Sequence, residues 1–255
     1  MSQSDVGRVL SNYASGEFTA KASRPHCQFN NRSKANHGLL IDRPNIEASR
    51  FRHTIAATHG WRKITQEFSG SDQPVACLLC PDPILIVLRR GVTRVYDRTT
   101  GDSLGIYEAR SHSQLDAKKV TRFLVYLTVR GGEGDYTLLH PEPLQLSMKG
   151  VQRGAFLEPG GHLDTLDRAI AQHYNGAPPF AFAVPLHTSA EVRGNGGNSS
   201  LVTVLAKPEP ISNRDTLDAL FVGEENLQLL TDAYELSRPW QQSDRGGEAT
   251  DAGES

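Results

Sequence analysis

The chain is 255 residues long, 38% of its residues are hydrophobic, 22% are charged, and its formal net charge is −2. The apolar share is below that of most compact domains, which predicts polar, poorly ordered ends. Three cysteines provide no disulfide framework, the N-terminus has no apolar signal region, and the longest apolar run, 84–88, is too short to cross a bilayer. We therefore expect neither a disulfide scaffold nor a secreted or membrane-spanning protein, and we predict a cytoplasmic location with no membrane partner.

Charge is distributed unevenly along the chain. Residues 21–70 carry nine Lys and Arg against three acids, a balance of +6, and residues 71–150 carry ten against nine, a balance of +1. Residues 151–236 carry five basic and eleven acidic residues, a balance of −6. A basic N-terminal half can bind polyanions although the whole chain is slightly acidic.

The N-terminal part predicts a flexible segment followed by a strand and a helix. Residues 1–24 are small and polar, which is typical of a mobile lead-in. A short apolar stretch at 38–41 predicts a strand, and Pro44 stands where a helix would begin, with Gly60 as its natural end. The basic and aromatic residues that this region would display are Arg50, Arg52, Trp61, Arg62 and Lys63.

The centre of the chain is rich in short strand-like segments. Apolar residues at 75–80 and from Ile84 onward flank the turn-forming Pro81-Asp82-Pro83. Further segments follow up to residue 149, separated by turns rich in Gly, Asp and Pro. Short strands at this spacing indicate an antiparallel sheet rather than a parallel array of βαβ units.

Helices are predicted mainly in the second half of the chain. Leu163, Leu166 and Ile170 recur at spacings of three and four, which predicts a helix at about 162–174. Two strands follow, joined by a glycine-rich loop at 193–200 that lacks the ending of a phosphate loop. Two helical pieces, separated at Gly223, are expected between 213 and 234.

These elements predict a single α+β domain over residues 25–236. Strands followed by one helix and more strands favour a mainly antiparallel β-sheet or an OB-like barrel with a few peripheral helices. The polar and lightly acidic residues 237–255 are expected to form a disordered tail.

Two of the strand-like segments place arginines and tyrosines at every second position. The first set is Arg90, Val92, Arg94, Tyr96 and Arg98, and the second is Arg122, Leu124, Tyr126, Thr128 and Arg130. Successive side chains of a strand point to opposite faces, so each set projects from one side of the sheet. Cations for phosphates interleaved with rings for bases are typical of a surface that binds single strands without sequence preference. The alternative is an ordinary solvated strand face, where Arg and Tyr are also common.

Other basic side chains would extend this surface if the fold brings them to the same face. A basic loop just before the second set would act as a clamp at one edge. The predicted nucleic-acid-binding residues are Arg50, Arg52, Trp61, Arg62, Lys63, Arg90, Arg94, Tyr96, Arg98, Lys118, Lys119, Arg122, Tyr126 and Arg130.

The remaining motifs predict no catalytic or metal site. Cys77 and Cys80 are three apart on a strand, so their side chains would diverge, and we expect buried structural cysteines rather than zinc ligands. Residues 157–164 are similar to the start of a Nudix box, but the following helix has Asp167 as its only acid and lacks the paired glutamates that hold the metal. We therefore predict no enzyme and no cofactor. An enzyme assembled from distant residues is left open, with candidates His140, His162 and Asp164.

Two segments resemble parts of a bacterial family of domains of unknown function that is found chiefly in cyanobacteria. They are residues 38–61, GLLIDRPNIEASRFRHTIAATHGW, and residues 142–156, EPLQLSMKGVQRGAF. The resemblance implies no activity, and no functional residue follows from it. On its residues alone, the second segment predicts a core strand that ends at a basic turn, with Lys149 and Arg153 exposed nearby.

The hypothesis from the sequence is a non-enzymatic protein that binds single-stranded DNA or RNA by charge and aromatic stacking, with little sequence specificity. The alternative is a protein–protein interaction module, in which the amphipathic C-terminal helices dock on a partner and nucleic acid plays no part.

Overall fold

The computed structural model describes residues 24–68, 73–112, 117–132, 134–194 and 199–246, without the side chains of residues 245 and 246. The predicted flexible segment at 1–24 lies outside the described residues except for residue 24, and so does the part of the predicted tail beyond residue 246.

Ten of the twelve described strands form one large sheet. The strands are β1 (His26–Phe29), β2 (Leu39–Asp42), β3 (Arg62–Gln66), β4 (Val75–Cys80), β5 (Ile84–Asp97), β6 (Ser103–Ile106), β7 (Ala117–Arg130), β8 (Tyr136–Leu138), β9 (Leu144–Lys149), β10 (Val184–Pro185), β11 (Thr188–Arg193) and β12 (Ser200–Leu205). The spatial order is β10-β5-β7-β9-β1-β2-β4-β3, with β6 on β5 and β8 on β7, and β11 and β12 form a separate hairpin around the predicted glycine-rich loop. Residues 195–198 of that loop lie outside the described residues.

Nearly all strand pairs are antiparallel, which confirms the mainly antiparallel sheet of the predicted α+β fold. The exception is β1 with β9, which pair in parallel through His26 opposite Gln145 and Cys27 opposite Leu146. This seam joins the N-terminal strands to the central ones. The described strands run from β10 at one end to β3 at the other without closing, so an OB-like barrel is not confirmed.

Helices cover both faces of the sheet. They are α1 (Arg43–Ala48), α2 (His53–Ala57), α3 (Ala109–His112), α4 (Gly150–Leu157), α5 (His162–His173), α6 (Arg214–Asp218), α7 (Glu224–Leu236) and α8 (Arg238–Gly246). Alternation along β7 divides the core, because Phe123 and Val125 pack in the main cluster with Phe156 of α4, whereas Leu124 and Tyr126 pack in a second cluster with Leu230 of α7. No helix in the described part of the chain is long and apolar enough to cross a membrane.

Helix bounds agree with the sequence except near the N-terminus. Helix α5 confirms the prediction at 162–174, and α6 and α7 lie on either side of Gly223, whose φ is +87°. The single helix expected between Pro44 and Gly60 is instead the pair α1 and α2. Arg50 lies between them with a φ of +54°, a conformation that interrupts a right-handed helix.

The C-terminal segment differs most from its prediction. The tail expected to be disordered from residue 237 forms helix α8, and its Asp244 is only 6% exposed. The reason is tertiary, because the polar side chains of this helix meet hydrogen-bonding partners on β5. The polarity of a segment alone predicts that it is disordered in solvent. This prediction is wrong when distant residues of the fold offer hydrogen bonds to its polar side chains.

Candidate nucleic-acid interface

Strands β5 and β7 bring most of the two predicted sets of arginines and tyrosines to the same face of the sheet. Residues directly opposite each other in an antiparallel pair share a face. Arg94 lies opposite Val120 and Tyr96 opposite Lys118, so both point to the side of β7 that carries Arg122 and Tyr126. We call this the arginine face and define it by Arg89, Arg94, Arg122 and Tyr126.

Two irregularities in β5 put Arg89 on the face of the sheet where the sequence pattern predicts Arg90, and Arg90 on the opposite face. The register shifts between Val87 and Arg89 and again between Arg90 and Thr93. Each shift inserts one extra residue, which inverts the side-chain alternation between them. Arg90 therefore lies opposite Phe123, on the face covered by α5, and Arg89 takes its place on the arginine face.

Two of the three aromatic residues in the predicted interface, Tyr126 and Trp61, are part of the core. Tyr126 is 1% exposed, its ring is stacked on His140 at 5.3 Å between centroids, and its hydroxyl donates to the carbonyl of Pro141. Trp61 is 4% exposed and meets Phe51 edge to face at 5.3 Å. Because both rings are surrounded by protein, neither is available to a base, and this part of the predicted interface is wrong.

The arginine face is covered by the C-terminal helices. Arg89 donates to Ser237 Oγ at 2.7 Å, to Gln241 Oε1 at 2.6 Å and to the carbonyl of Tyr234 at 2.5 Å. Arg94 is 8% exposed and donates to the backbone carbonyl of Asp244. These cations hold α7 and α8 against the sheet. The face that the sequence pattern predicts as a solvent-exposed binding surface is therefore covered by two helices.

Several predicted residues lie away from the start of β7, where Lys118 and Lys119 are. Arg62 and Lys63 are on β3, five strand positions from β7 in the sheet order, which is about 24 Å in a flat sheet. Arg50 pairs with Glu142 at 3.2 Å, and Arg52 is exposed at the start of α2. Arg130 is at the opposite end of β7 from Lys118. The basic N-terminal segment and the strand residues therefore do not line one common groove.

One groove does gather cationic side chains. It has a volume of about 860 Å³ and lies where β9 ends and α4 begins, beside the first residues of β7. Its cations, which define the cationic groove, are Arg98, Lys118, Lys119, Lys149 and Arg153. Among the lining residues that the structure describes, Glu158 is the only acidic one, and it lies 3.4 Å from Arg153.

The positive charges of the groove repel one another. The pKa of Lys149 is lowered from its usual value, first by partial burial and then by the charge of Lys118. Arg153 lowers the pKa of Arg90 in the same way, in addition to the effect of burial. Helix α4 begins at Gly150 without an acidic residue in its first turn, so its dipole adds to the positive potential. An anion in the groove would relieve this repulsion.

Aromatic rings adjoin the cationic groove. The ammonium group of Lys119 lies 3.9 Å from the ring centroid of Tyr107, a cation–π contact. Tyr96 is half-buried and neighbours Lys118 across the pair of strands. Of these two rings, Tyr96 is one of the predicted binding residues, whereas Tyr107 is an addition from the structure.

The sequence hypothesis named Arg98, Lys118 and Lys119 but not Lys149 and Arg153 as binding residues. The missing information is the register of β9, which places Lys149 opposite Val120 and so next to Lys118. The exposed basic turn at the end of the second family-like segment was the available signal. It did not show which strand that turn would meet.

The residues considered for catalysis or metal binding are buried or hydrogen-bonded within the fold. Cys77 and Cys80 are buried in different apolar clusters, as expected from their spacing. His140 accepts from the backbone N–H of Leu127 at 2.8 Å and is 2.6 Å from the carbonyl of Glu142. Asp164 accepts from the N–H of Gly160 at 2.7 Å. Within the described residues, no group of three His, Cys, Asp or Glu side chains is placed to hold a metal ion.

Comparison with known proteins identifies the family but supplies no function. No curated protein and no solved structure is significantly similar to this chain. The family described as "Domain of unknown function (DUF5895)" matches residues 22–252, and the chain belongs to that family.

Proposed function

We propose that the chain binds single-stranded nucleic acid in the cationic groove, by charge and without chemistry on the strand. The observation that carries the proposal is that, among the described residues, five cationic side chains line one groove with a single carboxylate, Glu158. A phosphate backbone would neutralise these cations and release its own counterions, which is the main source of sequence-independent affinity.

A single strand fits the surroundings of the groove better than a duplex. Lys118 has half-buried Tyr96 as its cross-strand neighbour, and Lys119 lies over Tyr107. Rings beside cations are useful to a strand whose bases are unpaired, because each stacked base contributes about 1–3 kcal/mol. A duplex keeps its bases paired and would gain only the phosphate contacts.

The test is a fluorescence anisotropy titration with a labelled oligothymidylate at two salt concentrations. Contacts from five cations give a slope of about −3.5 in log affinity against log salt, so affinity should fall about a hundredfold between about 50 and 200 mM. Absence of binding at the lower salt would refute the proposal. Equal affinity for a duplex of the same length would contradict its single-stranded part.

Matched variants locate the binding surface. Lys118→Glu with Lys149→Glu should weaken binding at low salt at least about tenfold and flatten the salt dependence. The control, Arg52→Glu with Lys63→Glu, changes the net charge equally but lies outside the groove lining, and should bind as the wild type does. Equal losses in both variants would indicate diffuse attraction rather than a site.

A second candidate function rests on the outer face of α7. Leu229 and Leu236 are 43% and 81% exposed there, and a spacing of seven places them on the same side of the helix. Such a surface suits a protein partner. Sedimentation of the purified chain with and without Leu229→Ser and Leu236→Ser tests whether this face makes contacts between copies.

A further inference from the structure

The centre of the arginine face holds an anion that belongs to the protein itself. The carboxylate of Asp244 accepts from the N–H of Val92 at 2.8 Å and lies 4.0 Å from the guanidinium of Arg122. Its side chain is 3% exposed, whereas that of Arg122 is 41% exposed. The backbone carbonyl of Asp244 also accepts from Arg94 at 2.6 Å. The buried carboxylate thus faces one guanidinium and one backbone N–H, and a second guanidinium holds the backbone carbonyl of the same residue. These are groups that would also bind a phosphate.

The strand is shaped to admit this carboxylate. Gly91 lies in the second irregular region of β5, and a Cβ atom there would overlap the Oδ2 atom of Asp244. The backbone at Gly91 does not have a positive φ, so its conformation alone does not require glycine. Glycine is required at this position because the Asp244 carboxylate approaches it so closely.

Polar contacts dominate the attachment of α8 to the sheet. The helix reads Arg-Pro-Trp-Gln-Gln-Ser-Asp-Arg-Gly, and half-buried Trp240 is its one large apolar side chain. Gln241 accepts from Arg89, and the indole of Trp240 donates to Gln145 at 3.3 Å. A helix of this length is marginal once detached, and attachment through charges weakens when salt or a competing anion is present.

The arginine face continues into the cationic groove. Arg122 and Lys118 point to the same side of β7, four residues and about 13 Å apart. Lys149 lies opposite Val120, between them. A strand bound in the groove would therefore meet Arg122 next, at the edge of the site that Asp244 occupies.

We propose that Arg94 and Arg122 form a second phosphate-binding site, which the C-terminal helix occupies through Asp244 and from which a bound nucleic-acid strand displaces it. This inference rests on the proposed function of the groove. The helix limits access to this second site, and the fraction of molecules with α8 released sets the apparent affinity.

Fluorescence of Trp240 reports the release directly. The chain has two tryptophans, so Trp61→Phe leaves Trp240 as the only one. Adding an oligothymidylate at low salt should shift the emission of Trp240 to longer wavelength, because its indole leaves the sheet for water. Binding that leaves this emission unchanged would overturn the displacement.

Two variants release α8 by different routes. Asp244→Asn removes the charge, and Gly91→Ala introduces a methyl group where the carboxylate lies. Both should increase oligothymidylate affinity about five- to tenfold and make the salt dependence steeper by about 1.4, the contribution of two further phosphate contacts on a single strand. Asp232→Asn on α7 removes the same charge at an exposed position and should leave affinity unchanged.

The outcomes separate this inference from the function on which it rests. If Gly91→Ala exposes Trp240 but binds no more tightly, the second site is refuted while binding in the groove stands. If the wild-type chain binds no oligothymidylate at low salt, both proposals fail. If binding is lost only in the Lys118→Glu and Lys149→Glu variant and gained in neither α8 variant, the groove alone is the site.

Discussion

Strand β7 carries cationic side chains in two places, and the fold treats them differently. At its start, Lys118 and Lys119 line a groove whose described residues include three further cations and one carboxylate. Near its middle, Arg122 lies beside Arg94 under helix α8, with Asp244 as an internal counter-ion. The alternating pattern is the same in both places. The two places differ in whether another element of the chain packs over the cations. Helix α8 covers the arginines, whereas the groove stays open as a candidate binding surface.

The difference has a thermodynamic side. Partial burial and then the charge of Lys118 lower the pKa of Lys149, so its charged form costs stability in the folded state, and a bound anion would offset part of that cost. On the arginine face the compensating anion is Asp244, which belongs to the chain itself. Sites retained for binding often cost stability, whereas contacts retained for structure add to it.

Tyr126 gives the largest expected contrast with the groove. Tyr126→Ala should lower the free energy of unfolding by about 4 kcal/mol, because a large buried ring stacked on His140 is lost. Tyr96→Ala, at a half-buried position near the groove, should cost less than about 1 kcal/mol. Urea unfolding measures both, and similar losses would mean that Tyr126 is not a core residue.

Acid should destabilise the same buried region through His140. Burial lowers the pKa of His140 from 6.5 to about 4, so between these values the unfolded chain binds a proton that the folded chain does not. Stability contributed by this residue is therefore full above about pH 7 and falls by about 3 kcal/mol as the pH approaches 4. The measurement is urea unfolding across this range, with His140→Gln as the variant in which this part of the slope should disappear. An unchanged slope would place the titration elsewhere.

Removal of the internal counter-ion should have a smaller effect. Asp244→Ala should lower the free energy of unfolding by about 1 kcal/mol, because a charged hydrogen bond to Val92 is lost and α8 detaches. The loss is limited to the docking energy of this helix. A much larger loss would show that α8 is an integral part of the core rather than a displaceable cover.

The smallest expected effect has the opposite sign. Lys149→Met should raise the free energy of unfolding by about 0.5 kcal/mol, since it removes a partly desolvated charge beside Lys118, and should weaken oligothymidylate binding. Lys63→Met on β3 is the matched control and should change neither quantity. A less stable Lys149→Met protein would contradict the idea that the groove is under electrostatic strain.

The elements that sequence patterns predicted well are those governed by local chemistry. The spacing of Leu163, Leu166 and Ile170 is enough to predict α5, and a glycine with positive φ at 223 separates α6 from α7. The divergence of Cys77 and Cys80 follows from strand alternation alone. In each case neighbours in sequence decide the outcome.

The candidate site was only partly predictable, because it depends on contacts between distant residues. Alternation predicts Arg94 on the same side as Tyr96 and Arg122 on the same side as Tyr126, but only the register shows that the two pairs share a face. No local signal marks the inserted residues that exchange Arg89 and Arg90. Polarity suggested that α8 would be disordered, since its partners on β5 lie far away in sequence. Charge patterns predict which residues could bind an anion, and only the register and the covering helix decide which of them face solvent.

The parallel pair between β1 and β9 has a consequence for how the protein folds. Strands β1 to β4 pair among themselves, and so do β5 to β9, whereas the seam at Cys27 and Leu146 joins the two groups. During synthesis the N-terminal strands can pair early, but the open edge of β1 has no partner until β9 leaves the ribosome. Unpaired edges of this kind favour aggregation, and contacts between distant residues slow folding. The order of synthesis thus makes the completion of this seam a late step, and the nascent chain is most exposed to aggregation just before it.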